Sequence, residues 1–141
     1  MTIKQQLSKY LSIMREIQYL EEEIIRLRHK ADSVKSISIM PDKIKGAIVQ
    51  DPTADLIVEY LDETNKLIKK LKKASDERDN IESIISSLPE KWKQLMRLRY
   101  IYGMTFERIA VELNYSWRQV HRLHGEALVT LEKQREGKNE N

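Results

Sequence analysis

Residues 88–131, LPEKWKQLMRLRYIYGMTFERIAVELNYSWRQVHRLHGEALVTL, decide how this chain is read. Three helical patterns follow one another there, each with its own start or stop signal. Trp92, Leu95, Met96 and Arg99/Tyr100 make a helical stripe that stops at Gly103, where a left-handed backbone can close a helix. Thr105 is placed to cap the next helix, Thr105–Leu113, which turns Phe106, Ile109, Ala110 and Leu113 inward. Asn114-Tyr115-Ser116 then makes a short turn, since Asn tolerates positive φ better than most residues bearing a side chain. Ser116 and Gln119 have the spacing of a capping box and open the last helix.

At about 100° per residue, Val120, Leu123, Ala127, Leu128 and Leu131 cluster on one side of that last helix. Arg118, Gln119, Arg122, Gly125 and Glu126 point away from it, with Trp117 in the first turn and His121 on a flank. Two such helices joined by a three-residue turn predict a helix-turn-helix whose second helix, 116–131, enters the major groove of double-stranded DNA. Arg can donate two hydrogen bonds to guanine O6 and N7, and Gln can pair bidentately with adenine. The candidate DNA-binding residues are therefore Trp117, Arg118, Gln119, His121 and Arg122, with Arg108 and Arg99 toward backbone phosphate. Plain structural roles compete for each: a solvated face for the arginines, a cap for Gln119, packing for Trp117. His124, nearer the core side, is expected to be a packed, hydrogen-bonded histidine, and Trp92 and Tyr100 to be core.

The charge distribution agrees. Residues 1–87 carry 15 basic and 15 acidic side chains, whereas residues 88–141 carry 10 and 7. Within Lys91–His124 the count is 7 against 2, a footprint suited to a nucleic-acid partner.

Upstream, Ile3, Tyr10, Ile13, Ile17, Leu20, Ile24, Leu27, Ala31 and Val34 step by three and four from Tyr10 onward, with Gln6 interrupting the series. That is a heptad seam on a helix of about 32 residues, too long a rod to bury its stripe without a partner helix. A second seam runs through Ile57, Tyr60, Thr64, Leu67, Leu71, Ala74, Arg78, Ile81, Ile85 and Leu88, widened by Leu61, Ile68 and Ile84. Asp51-Pro52 supplies its entry signal, Asp as N-cap and Pro at the first helical position. Ser87, Pro89 and Glu90 then predict a capping box that starts the next helix. The expected fold is all-α. Residues 1–87 form a coiled-coil helical hairpin with an irregular, disordered connector at 35–52, residues 88–135 the helix-turn-helix domain, and residues 136–141 a disordered tail.

The 141 residues hold no Cys, three His and four Gly. There is no His-Glu-x-x-His spacing, Gly-rich phosphate loop or nucleophile elbow, so neither enzyme, metal nor cofactor is expected. No apolar run is long enough for a membrane span, and a cytoplasmic setting with no membrane partner is expected.

At this point the residues resemble region 4 of the sigma-70 family. The likeness is carried by Leu88-Pro89-Glu90, the Arg97-Leu98-Arg99-Tyr100 run, Gly103-Met104-Thr105, Glu107, Ile109-Ala110, Leu113, Ser116, Val120, Ala127-Leu128 and Leu131. More narrowly, a charged coiled-coil N-terminus followed by Asn114-Tyr115-Ser116, Arg118-Gln119-Val120 and His124-Gly125 is similar to the sigma-like regulators of phages and prophages of Gram-positive bacteria. The resemblance implies a transcription regulator that reads promoter DNA, a homodimer through its N-terminal coiled coil, with RNA polymerase as a further partner. Nothing resembles sigma region 2, the part that melts DNA, so a self-sufficient sigma factor is not implied. Two alternatives stay open: a polymerase- or sigma-binding protein with little DNA affinity, and a small-terminase-like packaging protein.

Overall fold

The computed structural model describes residues 1–38 and 52–139, and every regular element among them is helical. In chain order these are α1 (Ile3–Ser8), α2 (Tyr10–Ser38), α3 (Pro52–Ser86), α4 (Glu90–Met96), a π-helical turn (Arg97–Ile101), α5 (Phe106–Leu113) and α6 (Trp117–Asn139). The chain divides into two compact units, one of residues 1–14 with 76–141 and one of residues 15–75. Both α2 and α3 contribute to each unit, so the division does not follow the boundary expected at 87/88.

The first unit is built on one core. Ile3, Leu7, Tyr10, Ile13, Ile81, Ile85, Leu88, Leu95, Met96, Ile109, Val120, Ala127 and Leu131 are all buried in it. Each buried aliphatic contributes on the order of 1.5–3 kcal/mol of transfer free energy. The N-terminal seam runs through Leu7, which is fully buried, and not through Gln6; the interruption expected there is absent because Ile3, Leu7 and Tyr10 already step by four and three. α1 is closed at its start by a capping box between Thr2 and Gln5, which the hydrophobic pattern did not bring out. It packs on α6, where the Ile3 amide donates to Glu132 Oε1 (2.6 Å) and Arg135 Nη1 donates to the Met1 carbonyl (2.8 Å). Tyr10 on α2 donates to Glu82 on α3 (2.5 Å), and burial, with that carboxylate, pushes the phenol up to about 12.

In the second unit, Ile17, Leu20, Leu27, Ala31 and Ala74 are buried, while Ile24, Ile57, Tyr60, Leu67 and Leu71 are half-buried. In the first unit Tyr10 of α2 meets Glu82 of α3, and in the second Tyr60 of α3 lines a groove with α2 residues between Glu22 and Val34. Leu61 and Ile68, expected to widen the buried stripe, are 51% and 47% exposed. Two paired helices bury only the narrow seam between them, and these two positions lie on its flank.

Three local expectations are corrected. Ser87 does not cap the fourth helix. Its hydroxyl donates back to the Ile84 carbonyl (2.7 Å), because Ser87 still belongs to the turn that ends α3, and α4 begins at Glu90 behind an extended Pro89 without a side-chain cap. α2 continues through Ser38, beyond the connector's expected start at residue 35; residues 39–51, including the Asp51 cap, lie outside the described residues. α6 continues through Asn139, so residues 136–139 are helix, their charged side chains being compatible with a solvated last turn; residues 140–141 lie outside the described residues.

Candidate nucleic-acid interface

The site is assembled from three chain reversals. Gly103 has φ +69, the left-handed backbone that favours glycine, and a Cβ there would lie 2.8 Å from the movable end of the Leu11 side chain, Cδ1. Thr105 caps α5 by accepting from the Arg108 amide (3.2 Å). Asn114 takes the left-handed conformation (φ 58, ψ 42), its amide reaching Ala110 and Val111, and the Tyr115 amide bonds the Ala110 carbonyl (2.9 Å). Ser116 then accepts from the Gln119 amide (3.1 Å) and α6 begins. The caps expected at Thr105 and Ser116 and the left-handed positions at Gly103 and Asn114 are where the sequence put them.

α6 packs on α4 and α5 through Val120, Leu123, His124, Ala127 and Leu131. Its opposite face exposes Arg118, Arg122, Gly125 and Glu126, with the two arginines one helical turn apart. Trp117 is 55% exposed at the first helical position, and Gln119 is half-buried beside its cap. Arg108 is exposed on α5. Of the seven candidates, Arg108, Trp117, Arg118 and Arg122 are exposed and Gln119 is half-buried.

Arg99 and His121 are differently employed. The Arg99 guanidinium sits 4.0 Å over the Phe106 ring and donates through Nη1 to the Met104 carbonyl (3.0 Å). His121 lies between Phe106 and Trp117, its ring centroid 4.4 Å and 3.9 Å from theirs, and its Nε2 is buried without a hydrogen-bond partner. Arg99, Phe106, His121 and Trp117 thus form a continuous ladder from the π-helical turn to the start of α6. The spacing of Trp117 and His121, four apart on a helix, signals their contact in the sequence. The meeting of Arg99 and Phe106 depends on the turn between them and leaves no such signal.

His124 is buried, as expected, and shares a hydrogen bond with the Tyr100 hydroxyl (2.6 Å). Burial, and then the charges of Lys4 and Arg99 and neighbouring His121, pull its pKa down to about 4, so the ring is neutral at physiological pH. Burial raises the Tyr100 phenol in turn. Trp92 is half-buried and donates from Nε1 to Glu126 (3.3 Å) across to α6.

Residues 84–133 match the family model for sigma-70, region 4. No curated protein and no solved structure matches the chain. The sigma-70 region 4 segment takes in the last turn of α3, all of α4, the π-helical turn, α5 and most of α6, about a third of the chain. It contains Arg118 and Arg122, the whole aromatic ladder, and the Tyr100–His124 pair. Ile3 and Leu7, which share the same core, lie outside it. Among the described residues no group of three or more His, Cys, Asp or Glu is placed to hold a metal, and no helix is long and apolar enough to cross a membrane.

Proposed function

We propose that this chain is a transcription regulator that reads promoter DNA through α6, with Arg118 and Arg122 as the principal contacts. The observation that carries this reading is the open arginine pair on the second helix of a sigma-70 region 4-like helix-turn-helix. Laid in a major groove, N-terminal residues of that helix reach base edges, where Arg118 and Gln119 stand in the first turn and Arg122 follows one turn later. Trp117 borders them, and Arg108 is free to meet backbone phosphate. The chain acts in the cytoplasm, as a phage or prophage product, and without an enzymatic step of its own.

Two copies reading two half-sites fit the N-terminal helical pair. Leu61 and Ile68, seven residues apart on α3 and both exposed, supply apolar surface that a second coiled-coil seam can cover. A second reading, docking on RNA polymerase or a sigma partner, is favoured by Val111, which is 81% exposed on α5, and by exposed Tyr102.

Gel shift over a salt series against duplex selected from a random-sequence library tests the first reading. Arg118→Ala with Arg122→Ala is expected to abolish specific binding and to flatten the salt dependence by about 0.9 per lost phosphate contact. Unchanged binding by the double variant removes α6 as the reading helix. Capture of polymerase by the native chain, with no duplex retained in any selection, supports docking instead.

A further inference from the structure

Trp117 is a large, half-exposed aromatic at the first position of α6, beside Arg118 and Gln119. An exposed tryptophan on a helix end would ordinarily sample several rotamers. This one is held on its inner side by His121, which is held by Phe106, which in turn lies under the Arg99 guanidinium. Arg99 is itself fixed by its bond to the Met104 carbonyl in the turn before α5. The four layers of the ladder come from three places: the π-helical turn, the first residue of α5, and the first two turns of α6. The aliphatic core of the domain lies elsewhere, under Val120, Leu123 and Ala127.

The chemistry of His121 sets its role. Its Nε2 is buried and has no partner, so that nitrogen is not offered to a phosphate. Phe106 and Trp117 lie tilted against the ring at 44° and 47°, their centroids 4.4 Å and 3.9 Å from its own. The ring packs between Phe106 and Trp117 and so fills the space that sets the position of the indole. Trp117 is the exposed member of the ladder, the other three being half-buried.

We infer that His121 and Arg99 are positioning residues that hold Trp117 rigid, and that Trp117 presents a stacking surface to a deoxyribose or thymine methyl at the edge of the DNA site. This rests on the proposed DNA-reading function and sharpens it. Arg118 and Arg122 supply charge, and Trp117 supplies shape and apolar selectivity at one position. Holding the ring in place beforehand removes the ordering cost of an aromatic contact at the moment of binding.

The test compares His121→Phe, His121→Ala, Trp117→Ala and the double alanine variant, each in full-length chain. Affinities are measured for the library-selected duplex and for poly(dI-dC) over a salt series. His121→Phe keeps a flat ring in the ladder and is expected to bind within about threefold of native with the same salt slope. His121→Ala and Trp117→Ala are each expected to lower discrimination between the two duplexes about tenfold, again with unchanged slope. The double variant is expected to be no worse than either single one, because the two side chains act as one unit. In a Trp92→Phe background, indole fluorescence anisotropy of the free protein should fall in His121→Ala and hold in His121→Phe. A slope reduced by about 0.9 in His121→Phe makes the histidine a phosphate contact and overturns the inference. Additive losses in the double variant, or native discrimination by His121→Ala, overturn it too. A native chain that retains no duplex at all overturns both this inference and the function beneath it, whereas native binding with a failing His121→Phe overturns only this one.

Discussion

In the unit formed by residues 1–14 and 76–141, side chains from all the helices and the π-helical turn converge on one core, whereas residues 15–75 bury a single seam between two helices. The first unit also spends its polar groups internally: caps at Thr2, Thr105 and Ser116, the Tyr100–His124 bond, and the Arg99 ladder. The second shows i,i+3 and i,i+4 pairing along single helices, such as Arg26 with Glu23 and Gln18 with Glu22, and leaves Tyr19, Ile25, Val58, Leu61 and Ile68 exposed. Helical content is therefore a poor guide to how firmly a region is held. The number of independent elements meeting at a residue is a better one.

The largest effect should come from removing a core side chain where several elements meet. Ile109 is fully buried, and Ile109→Ala should cost about 3 kcal/mol by denaturant unfolding, against roughly 1 kcal/mol for Leu67→Ala in the half-buried seam. Equal losses would erase the contrast between the units.

His124 gives the next largest effect, and its sign can be worked out. Its folded pKa of about 4 lies below the ordinary 6.5, so its contribution is complete above about pH 6.5 and is lost as pH falls toward 4. The native chain should lose roughly 2–3 kcal/mol from this group over that window. His124→Gln, which does not titrate, should lose less between the same two pH values, read as the urea midpoint. Parallel pH profiles for the two proteins would show that burial does not hold the ring neutral.

The two glycines of the helix-turn-helix segment offer a smaller, opposed pair. Gly103→Ala meets both a positive φ and the Leu11 methyl, and should destabilise by about 1–2 kcal/mol. Gly125→Ala meets nothing within 4 Å in an ordinary helix, and should stabilise by about 0.5–1 kcal/mol. If stability rises while duplex binding falls, the backbone at residue 125 approaches its partner closely. Smallest of all, Leu61→Gln should change the stability of an isolated copy by less than about 0.5 kcal/mol. A larger loss that shrinks toward this value on dilution would show that a second copy covers this face.

Much of the fold was legible because it is written in local rules. The steps of three and four place the two long helices, and Thr105, Asn114 and Ser116 mark their reversals through chemistry confined to a few residues. What was not legible depends on distant partners. Leu61 and Ile68 carry the same apolar signature as buried residues, and only the absence of a further covering helix in that unit's described residues distinguishes them. Arg99 and His121 are expected toward DNA, Arg99 at backbone phosphate and His121 on the flank of its helix, yet both pack against Phe106. The same periodicity that located α6 could not say which of its polar residues were already occupied. Ser87 failed for a smaller reason, a hydroxyl choosing the turn behind it over the helix ahead.

The contacts of Ile3 with Glu132 and of Met1 with Arg135 join residues 129 and 134 positions apart. During synthesis at ~5–20 residues per second, the first helix leaves the ribosome on the order of ten seconds before its docking surface exists. Closing so long a loop comes late and is slow, so the last helix acts as the latch of the folding reaction. Until it arrives, Ile3 and Leu7 lack the part of their core that Val120, Ala127 and Leu131 supply. The nascent chain is thus exposed to aggregation and proteolysis while α1 waits for α6.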